Sequence, residues 1–245
     1  MKKQISPDSN RLREIRKKFH DSIQDYAKEI CLNPEDAGNI SAEDIYNGLE
    51  SSGIDAKAVF QKDVDYLGSY TRMSSPGIIK FNIVPLTYFY WWIFAELKKD
   101  GLKFNPLLLE KMVFDKTLNH ELFHYFSDYI SRITGSSFIH NTEEALAVAC
   151  SYVTLENKYY WNSPAWWKRC FFEVAFAYTS PGYKDYVNFI SRNAFYKAIV
   201  DYKGQNGSQY GYDAYPILHE HGEYALVENL MLAIMSKPYV EYSTV

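Results

Sequence analysis

A chain of 245 residues, 47% of them hydrophobic, is long enough to bury a sizeable interior, as one large domain or as a core with appendages. A formal charge of −4 gives no reason to expect nucleic acid or an anionic membrane as partner. Cys31, Cys150 and Cys170 are odd in number and far apart, which excludes a disulfide framework and a Cys-x-x-Cys metal knuckle and favours a reducing compartment.

The start, Met1-Lys2-Lys3-Gln4-Ile5-Ser6-Pro7, lacks the apolar core of a signal peptide. The longest apolar run, Tyr88 to Ala95, falls far short of the ~20 residues that a membrane span needs. A cytoplasmic protein without a membrane partner is expected.

Asn10 to Ile30 reads as an amphipathic helix, with Leu12, Ile15, Phe19, Ile23 and Tyr26 on one side. Its start is basic through Arg11, Arg13, Arg16, Lys17 and Lys18, but Glu14, Asp21, Asp25 and Glu29 dilute the patch and no recognition helix follows. Nucleic acid is therefore not expected. Ser41 caps a short helix with Ile45 and Leu49 inward, ended by Ser51-Ser52-Gly53.

Val64 to Arg72 reads as a strand, Ser74-Ser75-Pro76-Gly77 as a turn, and Ile78 to Val84 as a second strand closed by Pro85. Together they predict an antiparallel hairpin, one edge of which could pair with an extended peptide through backbone groups. The aromatic run Tyr88-Phe89-Tyr90-Trp91-Trp92-Ile93-Phe94 predicts a helix buried on most sides and stopped by Gly101.

No Pro or Gly interrupts Leu107 to Thr134, where Leu109, Met112, Val113, Leu118, Leu122, Phe126 and Ile130 recur at helical steps. Inside this helix lies His120-Glu121-Leu122-Phe123-His124, an H-E-x-x-H motif. Residues four apart share a helix face, so His120 and His124 can aim two imidazoles at one tetrahedral Zn²⁺. Glu121 projects beside them, placed to take a proton from an attacking water without joining the ligands. A further helix begins near Asn141 or Thr142 with Glu143 and Glu144 in its first turn. Either carboxylate could complete a His-His-Glu set.

Ser163-Pro164 opens a helix through Trp167, Cys170, Phe171 and Val174, and Ser180-Pro181-Gly182 opens another through Val187, Ile190, Phe195 and Ile199. A glycine-punctuated loop, Gly204 to Tyr212, leads to His219-Glu220-His221 and an apolar helix from Glu223 to Met235. Zinc peptidases need a donor for the developing oxyanion, and Tyr212, Tyr215, His219 and His221 are the candidates, with Tyr212 and His219 put first. His20 and His140 are read as structural.

The hairpin with Gly68 and Gly77-Ile78-Ile79…Asn82, the Asn119-His120-Glu121-Leu122-Phe123-His124 helix and Glu143-Glu144-Ala145 resemble the minimal gluzincin metallopeptidases, most nearly the ImmA/IrrE-like family. The resemblance runs from about Val64 to Tyr152. Leu146 stands where that family usually has Asn and Phe123 where it has Gly, and the segment between hairpin and motif helix is longer. It implies His120, His124 and Glu144 as zinc ligands, Glu121 as general base, and a protein or peptide as substrate; a narrow substrate is expected because an unprocessed intracellular protease with broad appetite would be hazardous. The implied architecture is α+β and mainly helical: a zincin-like core with a small antiparallel sheet on the motif helix, plus helical N- and C-terminal parts. The expected organisation is an N-terminal helical segment to residue 60, a core over 61–156, and a C-terminal part over 157–245 packed on it. The other expectation is a degenerate zincin, a binding or regulatory module that holds metal without cleaving.

Overall fold

The computed structural model describes residues 9–30, 40–61, 67–72, 77–134, 138–159, 165–191, 193–199, 224–235 and 239–244. The chain is mainly helical with one small mixed sheet. Helix α1 (Ser9–Ile30) buries Leu12, Ile15, Phe19, Ile23, Tyr26 and Ala27, the apolar stripe that its three- and four-residue spacing predicts. Of its basic residues, Arg16 turns inward to Asp115, 2.7 Å away, and lies over the Phe114 ring. Helix α2 (Ala42–Ser51) starts at a capping box in which Ser41 and Asp44 satisfy each other's backbone N–H. A short α3 (Ala56–Phe60) follows, capped by Asp55.

The hairpin forms as strands β1 (Gly68–Thr71) and β2 (Ile78–Asn82), antiparallel and in register from Gly68 opposite Phe81 to Thr71 opposite Ile78. Pro85 does not end a strand. It sits in the first turn of α4 (Ile83–Lys99), where its missing N–H leaves nothing unsatisfied. Helix α4 carries the aromatic run and is buried nearly all round. It ends in a Schellman turn: Leu102 N–H donates to Leu97 O across Gly101, whose φ of +69° suits glycine.

Helix α5 (Pro106–Thr134) is the uninterrupted rod that the sequence predicts, and α6 (His140–Tyr159) packs against it antiparallel. Ser151 donates to Lys116 O at one end of this pair, and Glu143 meets His124 at the other. Asp115 fastens α1, α5 and α6 together, binding Arg16, Lys158 at 2.6 Å and the Tyr159 hydroxyl. Helix α6 begins at His140, and Ile139 O accepts from Glu143 N–H, so neither Asn141 nor Thr142 is the cap. The start moves because the helix runs back to the chain entering from Phe138, which is buried against Phe123.

Helix α7 (Ala165–Ala175) packs on α4. The continuous helix expected after Gly182 is broken: a 3₁₀ helix (Tyr183–Phe189) lies on α6, and α8 (residues 193–199) restarts beyond Ser191. Helix α9 (Tyr224–Met235) packs on α5. The last strand, β3 (Tyr239–Ser243), was not expected. It pairs parallel to β2, Ile78 opposite Tyr239, which makes β2 the central strand and leaves β1 at the sheet edge beside α5. Parallel pairing between segments so far apart requires the whole intervening chain as crossover, and no local pattern announces it.

Much of the aromatic content is core. Phe19 lies 6.3 Å from Phe114, which stacks on Phe81 at 4.6 Å, while Tyr152, Phe172, Phe176 and Tyr186 form a second cluster under α6 and α7. Cys150 and Cys170 are free thiols. Among the described residues no helix is long and apolar enough to cross a membrane.

Candidate metal centre

His120 and His124 lie one turn apart on α5, and both face α6. Their Nε2 atoms are 3.1 Å apart. Glu144 reaches across from the first turn of α6 and sets Oε2 3.3 Å from His120 Nε2 and 3.4 Å from His124 Nε2. A tetrahedral zinc with ligand bonds near 2.05 Å has ligand atoms about 3.3 Å apart. The triangle of two imidazole nitrogens and one carboxylate oxygen therefore has the edge lengths of one face of that tetrahedron. Glu144 Oε2 is buried and makes no well-formed hydrogen bond; a cation would satisfy it. The three residues are buried together and could hold a metal ion.

The choice between the adjacent glutamates follows from azimuth. Successive helix residues point about 100° apart, so Glu144 faces the imidazoles while Glu143 passes to one side. There Glu143 Oε1 lies 2.9 Å from His124 Nδ1 and 2.7 Å from Arg72 Nη2. An Nδ1–H donating to this carboxylate leaves Nε2 as the atom that faces the cluster. Arg72 is placed by the end of β1. Arg132 donates to Arg72 O and holds Asp128, and Asp128 accepts from the Tyr70 hydroxyl at 2.7 Å.

The titration of the pair follows the same contacts. Burial pushes His120 down to about 4, helped by the charge of His124 and opposed by Glu144. Burial also works against His124, yet its bonds to Glu143 and Glu144 raise it to about 10. Of the two imidazoles, His124 is therefore the one that holds a proton more readily. Both glutamates are held below the usual carboxylate range, against their burial, by the histidines, with Arg72 adding to the effect on Glu143.

Glu121 is 1% exposed and lies under the first residue of β1. A Cβ added at Gly68 would stand 3.1 Å from Glu121 Oε1 and 3.0 Å from Thr117 Cγ2, so glycine makes room for the carboxylate. Glu121 thus lies on α5 against the edge strand, and its charge acts on His124.

Phe123 and Leu146, the two departures from the gluzincin pattern, are both fully buried, with Phe123 against Phe126, Phe138 and Phe195. Tyr212, Tyr215, His219 and His221 lie outside the described residues. His140 is exposed, with Nδ1 3.6 Å from Glu144 Oε1, and His20 pairs with Glu110 at 2.8 Å. Sequence reasoning missed Arg72, Tyr183, whose ring stacks on His120 at 6.2 Å, and the buried Lys116 with Tyr178. Only Lys116 left a sign, since it stands four residues before His120 on the same face. An open cleft of about 780 Å³ between Tyr46, Ile54, Lys57 and Trp92 contains none of the cluster residues.

Comparison of the chain with protein-family models finds no match, and comparison with curated proteins and with solved structures finds none either.

Proposed function

We propose that this chain is a zinc-dependent metallopeptidase of the gluzincin type, nearest in pattern to the ImmA/IrrE-like peptidases. The observation that carries the reading is the triangle of His120, His124 and Glu144, with Glu121 beside it under the edge strand. Zinc is the cation best suited to two imidazoles and one carboxylate. When bound it would supply Lewis-acid polarisation of a carbonyl and a lowered pKa for a coordinated water.

The chain's own residues account for the remaining steps. The outer edge of β1 would take an extended peptide by backbone pairing, since β2 is already flanked by β1 and β3. Glu121 takes the proton of the attacking water and delivers it to the leaving amine. Glu143, held by Arg72, fixes the ring of His124. The substrate is a protein or peptide.

A second reading is a degenerate zincin that holds its cation without cleaving. The burial of all four central side chains, with Tyr183 stacked on His120, favours it. Elemental analysis and digestion of a proteome-derived peptide library separate the two. The peptidase reading expects about one zinc per chain, loss of zinc in Glu144→Ala, and a Glu121→Gln variant that keeps zinc but cuts nothing. Stoichiometric zinc with no cleaved peptide gives the second reading. A Glu121→Gln variant that cleaves like the parent refutes the mechanism.

A further inference from the structure

A cleft of about 450 Å³ opens between α1, α4 and the loop that joins α4 to α5, and none of the metal-centre residues lines it. Its floor is aromatic by helical spacing: Tyr90, Trp91 and Phe94 line it from α4, Ile23 and Ala27 from α1, and all five are buried. The turn at Gly101 brings Leu102 and Phe104 back over this floor, with the Phe104 ring edge-on to Phe94 at 4.8 Å. Asn105 fixes the loop, its side-chain oxygen accepting from Leu107 N–H at 2.9 Å. The cleft is therefore built into the packing.

The charged side chains that line it are of one sign. They are Lys98 and Lys103, and among the described residues no carboxylate shares the lining. Lys98 is held in place, its Nζ donating to Ile40 O at 2.7 Å and lying 5.6 Å from the Phe94 ring centroid. Lys103 is exposed and forms no ion pair among the described residues. The larger cleft beside Tyr46 differs: Glu50, Asp55 and Glu96 share it with Lys57 and Lys99, so it selects no sign of charge. Trp91 adds a second observation. Its indole N–H is buried without a hydrogen-bond partner among the described residues, although a buried tryptophan normally has one. A concave site of this size, aromatic within and carrying few polar groups, has the form of a small-molecule pocket. Edge-on rings favour an aromatic guest beyond the area it buries, and two ammonium groups favour an anionic end.

We propose that the α1–α4 cleft binds a small aromatic carboxylate, its ring among Trp91, Phe94 and Phe104 and its carboxylate towards Lys98 and Lys103. The site is separate from the metal centre and does not depend on the metallopeptidase reading. Binding there is reversible, and no bond is made or broken.

The test is calorimetric titration of the full chain with cinnamate, beside neutral cinnamyl alcohol, cationic cinnamylamine and aliphatic decanoate. Cinnamate is expected to bind saturably, one per chain, with a Kd of about 1 mM or tighter. The alcohol and the amine should bind at least about fivefold more weakly, and Lys103→Glu should weaken cinnamate by about the same factor while leaving the alcohol unchanged. Ala27→Leu fills the floor and should remove both ligands while the denaturant midpoint stays near the parent's. Should that variant fail to fold, Lys103→Glu, at an exposed position, decides alone. The proposal is overturned if cinnamate does not saturate, if the alcohol or the amine binds as well as the acid, or if Lys103→Glu binds cinnamate like the parent. A folded Ala27→Leu chain that still binds cinnamate places the ligand elsewhere and also overturns it. Decanoate binding tighter than cinnamate overturns the aromatic assignment. Zinc content and peptide cleavage are read separately, so a failure of the peptidase reading leaves each of these outcomes unchanged.

Discussion

At the scale of single residues, the centre is a buried set of two imidazoles and a carboxylate that could hold a cation. Glu144 faces two imidazole nitrogens, while Glu143, its neighbour, is turned to the Nδ1 of one of them and anchored by Arg72. Glu143→Gln keeps the shape but weakens the orienting contact, and cation affinity should fall about 10- to 100-fold without abolishing binding. Competition with a chromophoric chelator measures this; an unchanged affinity would remove Glu143 from the site. The pH dependence has a definite sign. His124 is raised to about 10 by Glu143 and Glu144, so through neutral pH it carries a proton that an incoming cation must displace. Affinity should therefore drop towards acid by up to about tenfold per pH unit. The same competition at pH 6, 7 and 8 would contradict the contact if it gave one affinity.

At the scale of elements, the relation of β1 to α5 decides where Glu121 can lie. Gly68 approaches α5 so closely that any Cβ there meets Glu121 and Thr117. Gly68→Val should push strand and carboxylate apart, at a cost of about 1–3 kcal/mol in stability. Because His120, His124 and Glu144 lie on α5 and α6 rather than on β1, cation binding should survive, while the proposed peptidase activity would be lost. Loss of metal in Gly68→Val would show that β1 supports the His120–His124–Glu144 cluster rather than Glu121 alone. The second determinant is how α5 seats on the sheet. Phe114, fully buried, stacks on Phe81 of β2 at 4.6 Å. Phe114→Ala should cost roughly 3–5 kcal/mol, read as the shift in a denaturant midpoint.

At the scale of the whole molecule, two neighbouring charges on α5 act in opposite directions. Asp115 joins α1, α5 and α6 through Arg16, Lys158 and Tyr159, so Asp115→Asn should destabilise by roughly 3 kcal/mol. Lys116 does the reverse. Burial, opposed by Glu121, lowers it from 10.5 to about 7, so charging it opposes folding. The cost is full below about 7 and vanishes above 10.5, where the unfolded chain has also lost the proton. Lys116→Met should stabilise the fold by a few kcal/mol at pH 6, with the gain fading as pH rises towards 10.5. A gain independent of pH would mean that Lys116 is not buried as a charge.

Helical periodicity alone marked α1 and α5, and the four-residue step alone placed His120 and His124 on one face, because both depend only on 3.6 residues per turn. The stop at Gly101 and the cap at Ser41 were equally local. What local spacing left open was decided by contacts between distant segments. Glu144 rather than Glu143 faces the histidines because of how α6 is rotated against α5; β3 completes the sheet across the whole chain; Tyr183 stacks on His120 and Arg72 holds Glu143 from elements far from the motif. A sequence read one residue at a time determines which side chains share a face of one rod. Which faces then meet is set by the packing of all the rods at once, and there the tertiary structure alone gives the answer.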